Sequence, residues 1–455
     1  MRGLTPNQKC NYSVHSPTVA SVKLKIAAIT PSLRQLFEGL LFMHVVVLGA
    51  GIMGTTSAWY LLEAGHEVTV IERQPAAALE TSFANGGQRS VGHVEPWASW
   101  ATLPQAVLWS LREDAPLLFR LRADPAQWRW GLQFLRECSA ARYQHNLQQL
   151  LHLGLYSRVA MSELQSKTGI QDHSLERGTL NIYDTPAAWA RGCAAAEKIS
   201  ALGYPRFKTD MSAALALEPA LHASSKHWVG ATYTPGDGSG DAHLFIDALA
   251  KQCSARGARF LYNRSVQRLV ASGGMLRSVV TDGESIPADA VVVACGSFST
   301  ALLQPLGIRL PIYPVKGYSA TVPIHNERAV PTVSITDDAH KLVFTRLGDT
   351  LRIAGTAEFN GYDVSLNAKR CQALIARAQT LFPAAAHYDQ PIFWAGLRPA
   401  TPSNCPLIGR TRIHNLYLNT GHGTLGWTLG AGSGKALAEI VGGATPAVDF
   451  NFLGL

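Results

Sequence analysis

Cysteine pairs, metal-binding histidine pairs and long apolar runs are all missing from this chain of 455 residues. The seven cysteines stand singly and are odd in number, which favours reduced thiols in the cytoplasm over a disulfide framework or a zinc site. The histidines show no H-E-x-x-H or H-x-x-E-H spacing, so we predict no metal ion. No apolar stretch of about 18 residues occurs, and a transmembrane helix is therefore not expected.

The net charge of +8 comes without a dense run of lysine and arginine and without an interleaved aromatic and basic motif. We therefore predict no nucleic-acid partner. A generally basic surface, suited to anionic substrates or to a membrane face, is the simpler interpretation. The chain is 47% hydrophobic and 16% charged, which is typical of a globular protein of about two or three domains.

Residues 44–73 read HVVVLGAGIMGTTSAWYLLEAGHEVTVIER and organise the rest of the chain. The unbroken apolar run over residues 45–48 predicts a strand buried on both faces of a parallel sheet. Gly49, Gly51 and Gly54 then form a G-x-G-x-x-G turn that opens a helix. The first glycine permits the tight turn, the second lets backbone amides approach a pyrophosphate, and the third lets the helix pack close to the strand. This order predicts dinucleotide binding rather than an ordinary glycine-rich turn.

Glu72 ends a second predicted strand, over residues 68–71. It follows the glycines at the spacing at which an acidic side chain accepts hydrogen bonds from a ribose diol. Its negative charge disfavours a 2′-phosphate, so NADP is not expected. The motif alone leaves both NAD and FAD open.

A second buried strand with a glycine turn follows about 240 residues later, at residues 288–299. An NAD dehydrogenase usually completes its sheet contiguously. A dinucleotide domain split by long insertions is more typical of a large flavoprotein, so this spacing favours FAD. Alternating strands over residues 311–358 predict an antiparallel sheet with one face open to a ligand. The expected fold class is α/β, with a split Rossmann-type domain and a mixed, largely antiparallel sheet.

Two further glycine-rich segments are candidate ligand loops. Residues 80–97 lie close behind Glu72 and are rich in Gly, Ser and Asn. Residues 420–427, TGHGTLGW, lead into the last predicted helix. The N-terminus of a helix stabilises negative charge, as develops at the N1–C2=O edge of a reduced flavin. The alternative is a flexible glycine loop.

Residues 1–42 differ in composition from the rest: they are polar to about residue 21, then weakly apolar and basic, with Pro31 interrupting. Because Rossmann-type domains often begin abruptly at their first strand, we expect Met43 to be the natural start. Residues 1–42 are then an extension that is disordered or not native. The alternative is an amphipathic anchor around residues 32–42.

The chain from residue 43 to about 449 resembles the FAD-dependent D-amino-acid dehydrogenases, within the D-amino-acid-oxidase-like family. The resemblance is carried by VVVLGAGIMGTTSAWYLLEAGHEVTVIER, ALETSFANGGQ, YPVKGYSATVP, FWAGLRPATP and LYLNTGHGTLGWTLGAGSGK. It implies an FAD-binding domain (43–98, 230–310 and 395–449) and a substrate domain (99–229 and 311–394). It also implies oxidative deamination of D-amino acids to 2-oxo acids and ammonia. Electrons would pass to a membrane quinone chain or another acceptor, from a cytoplasmic protein that can contact the inner face of the plasma membrane.

The resemblance also implies where FAD is contacted. The expected positions are Gly49, Ala50, Gly51, Ile52, Met53, Gly54, Glu72, Arg73, Ser82, Asn85, Gly86, Val266, Gly421, His422, Gly423, Thr424, Leu425 and Gly426.

Hydride transfer from an amino acid to flavin N5 requires the protein to hold the carboxylate and aim the α-C–H bond. A guanidinium binds a carboxylate bidentately, and Arg398 in GLRP matches the family's position for this role. The alternative for Arg398 is a structural salt bridge. By the same resemblance Tyr318 and Tyr313 are candidates to close over the substrate and Lys316 to lie near the flavin, with sheet packing or surface placement as the alternative. His422 is given no proton-transfer role.

Two departures from the family pattern bear on substrate identity. Arg89 and His93, in QRSVGH, stand where smaller and more neutral residues are expected, and Arg89 is interpreted as a contact for an acidic side chain or as exposed. Residues 403–405, SNC, replace an Asp-Gly turn. The alternative functions are an oxygen-using D-amino-acid or glycine oxidase, and an FAD-binding subunit of an opine-type oxidase that no amino acid reduces without its partner. The side-chain preference, the acceptor and the oligomeric state are left open.

Overall fold

A computed structural model of the protein describes residues 42–100, 103, 109, 112–113 and 115–455. The predicted extension, apart from Phe42, lies outside the described residues. The described α-helices are α1 (Ile52–Glu63), α2 (Pro125–Glu137), α3 (Ala140–Thr168), α4 (Pro186–Ala201), α5 (Met211–Leu217), α6 (Ala242–Ala255), α7 (Ser299–Leu303), α8 (Ala368–Leu381) and α9 (Gly426–Val441).

The described strands follow the chain in the same way. They are β1 (His44–Leu48), β2 (Glu67–Ile71), β3 (Gln88–Arg89), β4 (Leu117–Phe119), β5 (Thr179–Tyr183), β6 (Phe207–Thr209), β7 (Gly230–Thr234), β8 (Gly238–Ser239), β9 (Arg259–Leu261), β10 (Val266–Ser272), β11 (Met275–Thr281), β12 (Ser285–Pro287), β13 (Ala290–Val293), β14 (Tyr313–Pro323), β15 (Ser334–Asp337), β16 (Leu342–Leu347), β17 (Thr350–Phe359), β18 (Ile392–Ala400), β19 (Leu407–Arg410) and β20 (Leu416–Thr420).

A six-stranded sheet has the order β19-β20-β13-β1-β2-β9. All its pairs are parallel except β19 with β20. Residues 45–48 of β1 are fully buried. Val46 and Leu48 share a core cluster with Leu276 of the three-stranded sheet β10-β11-β12, whereas Val47 faces Gly54 of α1. The split Rossmann-type sheet predicted from the two distant apolar strands is confirmed, since β1 and β13 are neighbours in it.

Helices α1 and α9 cross at glycines. A Cβ at Gly430 would overlap the Ile52 side chain, and one at Gly434 would lie 2.6 Å from Thr56 Oγ1. Thr56 Oγ1 also donates to the Gly430 carbonyl at 3.0 Å. Both helices follow parallel strands, β1 and β20, so their N-termini and both glycine loops lie at the carboxyl edge of the sheet.

A nine-stranded sheet has the order β18-β14-β17-β16-β15-β5-β7-β6, with β4 pairing β17. It is largely antiparallel, as predicted, with parallel pairs only between β15 and β5 and between β17 and β4. One face packs on α8, where Leu374 and Ala378 join Phe344 and Ile353 in a buried cluster. The other face lines a cavity, so successive side chains along each strand point alternately to the core and to the cavity.

The predicted division into two domains stays a prediction. The six-stranded sheet is built from the ranges assigned to FAD binding. However, β7 begins at the proposed boundary at 230 and β18 spans the one at 395, and both strands belong to the nine-stranded sheet.

Candidate active site

The described residues line a cavity with a volume of about 2010 Å³. It runs from the glycine turn after β1, past the end of β2, to the loop before α9 and the end of β18. Small-molecule sites usually enclose about 300–1,000 Å³. The cavity therefore has room for a dinucleotide and a second ligand.

In the turn after β1, Gly49 and Gly54 occupy positions where a side chain would not fit. Gly49 has a φ of +98° and donates its N–H to the Ile71 carbonyl at 2.8 Å. A Cβ at Gly54 would overlap the Gly49 carbonyl oxygen. Gly51 and Met53 line the cavity at the start of α1, where the positive end of the helix dipole suits a pyrophosphate.

Glu72 fixes this turn from the end of β2. Its Oε2 accepts the Ala50 N–H at 2.8 Å and its Oε1 the Gln74 N–H at 2.9 Å. Burial raises the pKa of the Glu72 carboxyl, while these two hydrogen bonds oppose the rise. Arg73 lines the cavity beside it, with its guanidinium 3.9 Å from the centre of the Phe298 ring.

The segment behind Glu72 forms one wall of the cavity, lined by Ser82, Asn85 and Gly86, and Val266 lies on the rim. Ser82 Oγ accepts the Ile52 N–H at 3.3 Å, which ties this wall to the start of α1. A Cβ at Gly86 would come within 3.2 Å of Val343 on the nine-stranded sheet. The wall therefore passes between the two sheets.

The loop before α9 forms the opposite end. Of the predicted residues 421–426, all but Gly421 line the cavity. His422 is 2% exposed; its Nε2 lies 3.0 Å from Ser433 Oγ, and its Nδ1 has no partner among the described residues. Burial lowers the pKa of His422 to about 3, so the imidazole is neutral at physiological pH. A neutral, unsatisfied ring nitrogen at this position leaves a hydrogen bond for a ligand to complete.

Arg398 lies on the cavity face of β18, and its guanidinium rests on Gly317 of β14. Nη1 donates to the Thr356 carbonyl at 2.7 Å, and Nη2 lies 3.5 Å from the Gly355 carbonyl. Among the described residues no carboxylate pairs with it, so the salt-bridge alternative is not supported. Burial, and secondarily Arg370, lowers its pKa to about 10. The side chain is thus a cation at neutral pH without an anionic partner among the described residues.

Lys316 and Tyr318 direct their polar groups at carboxylates, although Tyr318 is also among the residues that line the cavity, and their predicted approach to substrate and flavin stays a prediction. The Tyr318 hydroxyl donates to Glu358 Oε2 at 2.5 Å, and Lys316 Nζ donates to Asp363 Oδ2 at 3.2 Å. Tyr318 belongs to the core cluster under α8. These hydrogen bonds favour the sheet-packing alternative for both residues.

Tyr313 is also placed away from the cavity. It is 1% exposed, its ring stacks on Phe359, and its hydroxyl donates to Asp124 Oδ2 at 3.2 Å. Tyr313 therefore does not support the prediction that it closes over a substrate.

Of the two unexpected loop residues, only His93 lines the cavity. Arg89 forms an ion pair with Glu176 and lies 3.9 Å from Asp172, so it is neither a free contact for an acidic substrate nor exposed. In the turn at residues 403–405, Asn404 adopts a φ of +63° and accepts the Trp97 N–H at 2.9 Å. This turn is structural.

Hydrogen bonds tie both neighbours of Arg398 to the cavity loops, and sequence reasoning missed them. Thr81 Oγ1 and Ser297 Oγ donate to the Leu397 carbonyl at 2.9 and 3.3 Å. The Gly423 N–H donates to the Pro399 carbonyl at 2.9 Å. The glycine-rich composition marked the segments around Thr81 and Ser297 as turns, but it carried no signal for these long-range bonds.

Comparison with known proteins explains this arrangement. The profile of the DAO family, FAD dependent oxidoreductase, matches residues 44–440. The chain belongs to this family. A D-amino acid dehydrogenase of Dechloromonas aromatica (strain RCB) is 52% identical over 416 residues, which cover 90% of this chain and 100% of that protein. A D-amino acid dehydrogenase of Paramagnetospirillum magneticum is 49% identical over 414 residues, or 91% of this chain and 98% of that protein.

Solved structures agree on the fold. A glycine oxidase from Geobacillus kaustophilus superimposes with a TM-score of 0.70 at 22% identity, covering 90% of this chain and 96% of that one. An L-proline dehydrogenase from P. horikoshii superimposes with a TM-score of 0.68 at 18% identity, covering 89% and 95%. The chain is thus an FAD-dependent oxidoreductase, and the predicted family, fold class and FAD cofactor are confirmed.

The described residues fit FAD. The glycine turn and Glu72 would hold the dinucleotide end, and the loop before α9 would offer its backbone and His422 at the other, since all line one cavity. No described helix is both long and apolar enough to cross a bilayer. Among the described residues no group of three or more His, Cys, Asp or Glu side chains is placed to hold a metal ion.

Proposed function

We propose that this enzyme oxidatively deaminates small D-amino acids to 2-oxo acids and ammonia, passing the electrons to an acceptor. The observation that carries the proposal is Arg398, a cavity-lining cation with no carboxylate partner among the described residues. The relatives named above as D-amino acid dehydrogenases support the reaction and the handedness.

In this proposal the glycine turn after β1, Glu72 and the loop before α9 would hold FAD, which would supply the hydride-accepting chemistry. Arg398 holds the substrate carboxylate, and the Thr356 and Gly355 carbonyls fix the orientation of the guanidinium. The Pro399 carbonyl is bonded to Gly423, so the strand that carries the clamp is registered against the loop near the flavin end. Hydride transfer requires the substrate's α-C–H bond to be held at a fixed position, because the reaction geometry tolerates little displacement. His422 stays neutral and serves as a hydrogen-bond partner rather than as an acid or base.

A quinone of the respiratory chain is the proposed acceptor, reached from a cytoplasmic protein in peripheral contact with the membrane. The basic net charge of +8 supports attraction to an anionic membrane surface. An oxygen-using oxidase is the second candidate, because the fold is shared by a glycine oxidase as well as by an L-proline dehydrogenase.

The proposal is tested by mixing the purified protein anaerobically with D-alanine or L-alanine while flavin absorbance near 450 nm is followed (roughly where oxidised flavin absorbs). Bleaching by D-alanine alone is the expected result. Admitting air then separates the dehydrogenase from the oxidase, because only an oxidase recovers its colour quickly. If neither isomer bleaches a yellow protein across a panel of amino acids, the enzymatic proposal fails and an accessory subunit becomes the better explanation.

The clamp predicts a pH dependence of carboxylate binding. Propionate, which lacks the amine that titrates in amino acids, should bind with constant affinity from about pH 6 to 9. Above about pH 10 its affinity should fall tenfold per pH unit, because Arg398 loses its proton there in the free enzyme. Isothermal titration calorimetry across this range measures the effect, with circular dichroism as the check that the protein stays folded. An affinity that stays level through pH 11 would contradict the lowered pKa of Arg398.

A further inference from the structure

Thr356 adopts a backbone conformation that its side chain disfavours. It lies inside β17 with a φ of +55°. The other described non-glycine residues with positive φ are Ala78, His173, Asn263, Lys341 and Asn404, none of which is β-branched. A β-branched residue in the left-handed region is a genuine outlier, and such outliers concentrate at functional sites.

The conformation arises from a β-bulge. Lys316 of β14 pairs with Glu358 of β17, and Tyr318 pairs with Gly355. Thr356 and the residue after it therefore face a single residue, Gly317, across the ladder. A bulge of this kind turns backbone groups out of the ladder and re-aims a side chain.

The bulge aims the carbonyl of Thr356 at Arg398, whose Nη1 donates to it at 2.7 Å. The same guanidinium rests on Gly317, the residue opposite the bulge. Two of the five guanidinium N–H groups are used by the Thr356 and Gly355 carbonyls. The remaining three are available for a carboxylate entering the cavity.

The hydroxyl of Thr356 also lacks a hydrogen-bond partner among the described residues, although its Oγ1 is buried and Thr356 lines the cavity. Arg398 has no carboxylate partner among those residues either. A buried donor without a partner is destabilising, and glycine would suit this backbone better. A single anion within reach of both groups would satisfy the unpaired hydroxyl and the unpaired cation.

We propose that Thr356 is a second binding residue for the substrate carboxylate: its carbonyl fixes the Arg398 guanidinium, and its hydroxyl donates to the carboxylate that the guanidinium holds. This inference rests on the proposed function for the identity of the substrate. It predicts that carboxylate affinity depends on the hydroxyl at position 356 and not on the strain there.

Three variants of the FAD-loaded enzyme separate hydroxyl from strain. Thr356→Val keeps the branched shape and removes the hydroxyl, Thr356→Ser keeps the hydroxyl, and Thr356→Gly removes both hydroxyl and strain. Isothermal titration with propionate should show binding about 10- to 100-fold weaker for the valine and glycine variants, the loss expected for a hydrogen bond to a charged group. The serine variant should bind within about threefold of wild type. KM for D-alanine should follow the same order.

Thermal unfolding supplies the readout that a structural role would move. The glycine variant should melt at or above the wild-type temperature, because glycine adopts a positive φ without penalty. Propionate affinity that is unchanged in Thr356→Val overturns the inference, as does a serine variant as weak as valine. Because propionate binding needs no turnover, a valine variant that loses affinity sustains the inference even if no amino acid reduces the flavin. A wild-type protein that binds no propionate overturns it.

Discussion

Replacing Arg398 with lysine is expected to lower kcat/KM for D-alanine by about 100-fold while FAD stays bound. A lysine ammonium is a point charge and cannot reproduce the planar fork that binds a carboxylate bidentately. It also cannot donate to the Thr356 carbonyl and the ligand in the same geometry. The loss of about 3 kcal/mol matches one or two charge-assisted hydrogen bonds. Steady-state kinetics with an artificial acceptor and the flavin-to-protein absorbance ratio measure the two effects.

A matched control is Arg142→Lys, which makes the same chemical change at an exposed ion pair with Glu137. Exposed pairs contribute little, so this variant should keep wild-type kinetics. If Arg398→Lys were equally active, Arg398 would not be the clamp. Loss of FAD in that variant would instead assign Arg398 a structural role.

The dinucleotide end of the site was predictable because its signals are local. A buried strand, the glycine turn and Glu72 lie within 30 residues, and the roles of the first and third glycines are steric and follow from the spacing. The structure shows these roles directly, in the positive φ of Gly49 and the overlap that a Cβ at Gly54 would cause.

The substrate end was harder to predict because it depends on which way a strand faces. Side chains alternate along β14, so an error of one residue moves a candidate to the wrong face. Lys316 and Tyr318 direct their polar groups at carboxylates, whereas Gly317 between them carries the guanidinium. The bulge at Thr356 shifts the register once more. A bulge of this kind has no characteristic residue composition or periodicity, so a single sequence does not reveal it.

The misjudged role of Arg89 has a similar cause. Its partners, Glu176 and Asp172, lie more than 80 residues away along the chain and meet it only because β3 pairs with β8. A charge in a glycine-rich loop looks available for a ligand until its distant partners are known. Arg398 differs from Arg89 in having no carboxylate partner among the residues that the structure describes: its guanidinium contacts a backbone carbonyl and a glycine.

Gly317→Ala should abolish most activity without unfolding the protein. The added Cβ would overlap Cζ, Nη1 and Nη2 of Arg398. The obstructing atoms are the far end of a flexible side chain, so the guanidinium moves and the ladder stays paired. We expect kcat/KM for D-alanine to fall about 100-fold, as in Arg398→Lys, because a misplaced clamp loses the same bonds. FAD content should be unchanged and Tm should shift by no more than a few degrees.

The double variant Gly317→Ala/Arg398→Lys distinguishes this mechanism from general damage. If the alanine acts by displacing the guanidinium, the two changes remove one interaction and their effects do not add. The double variant should then be about as active as either single variant. Gly442→Ala is the control: a Cβ there would make only ordinary contacts, at 3.4 and 3.6 Å, and Gly442 does not line the cavity, so kinetics should be unchanged. Fully additive losses, or a large drop in Tm with Gly317→Ala alone, would mean that the glycine supports the sheet rather than the clamp.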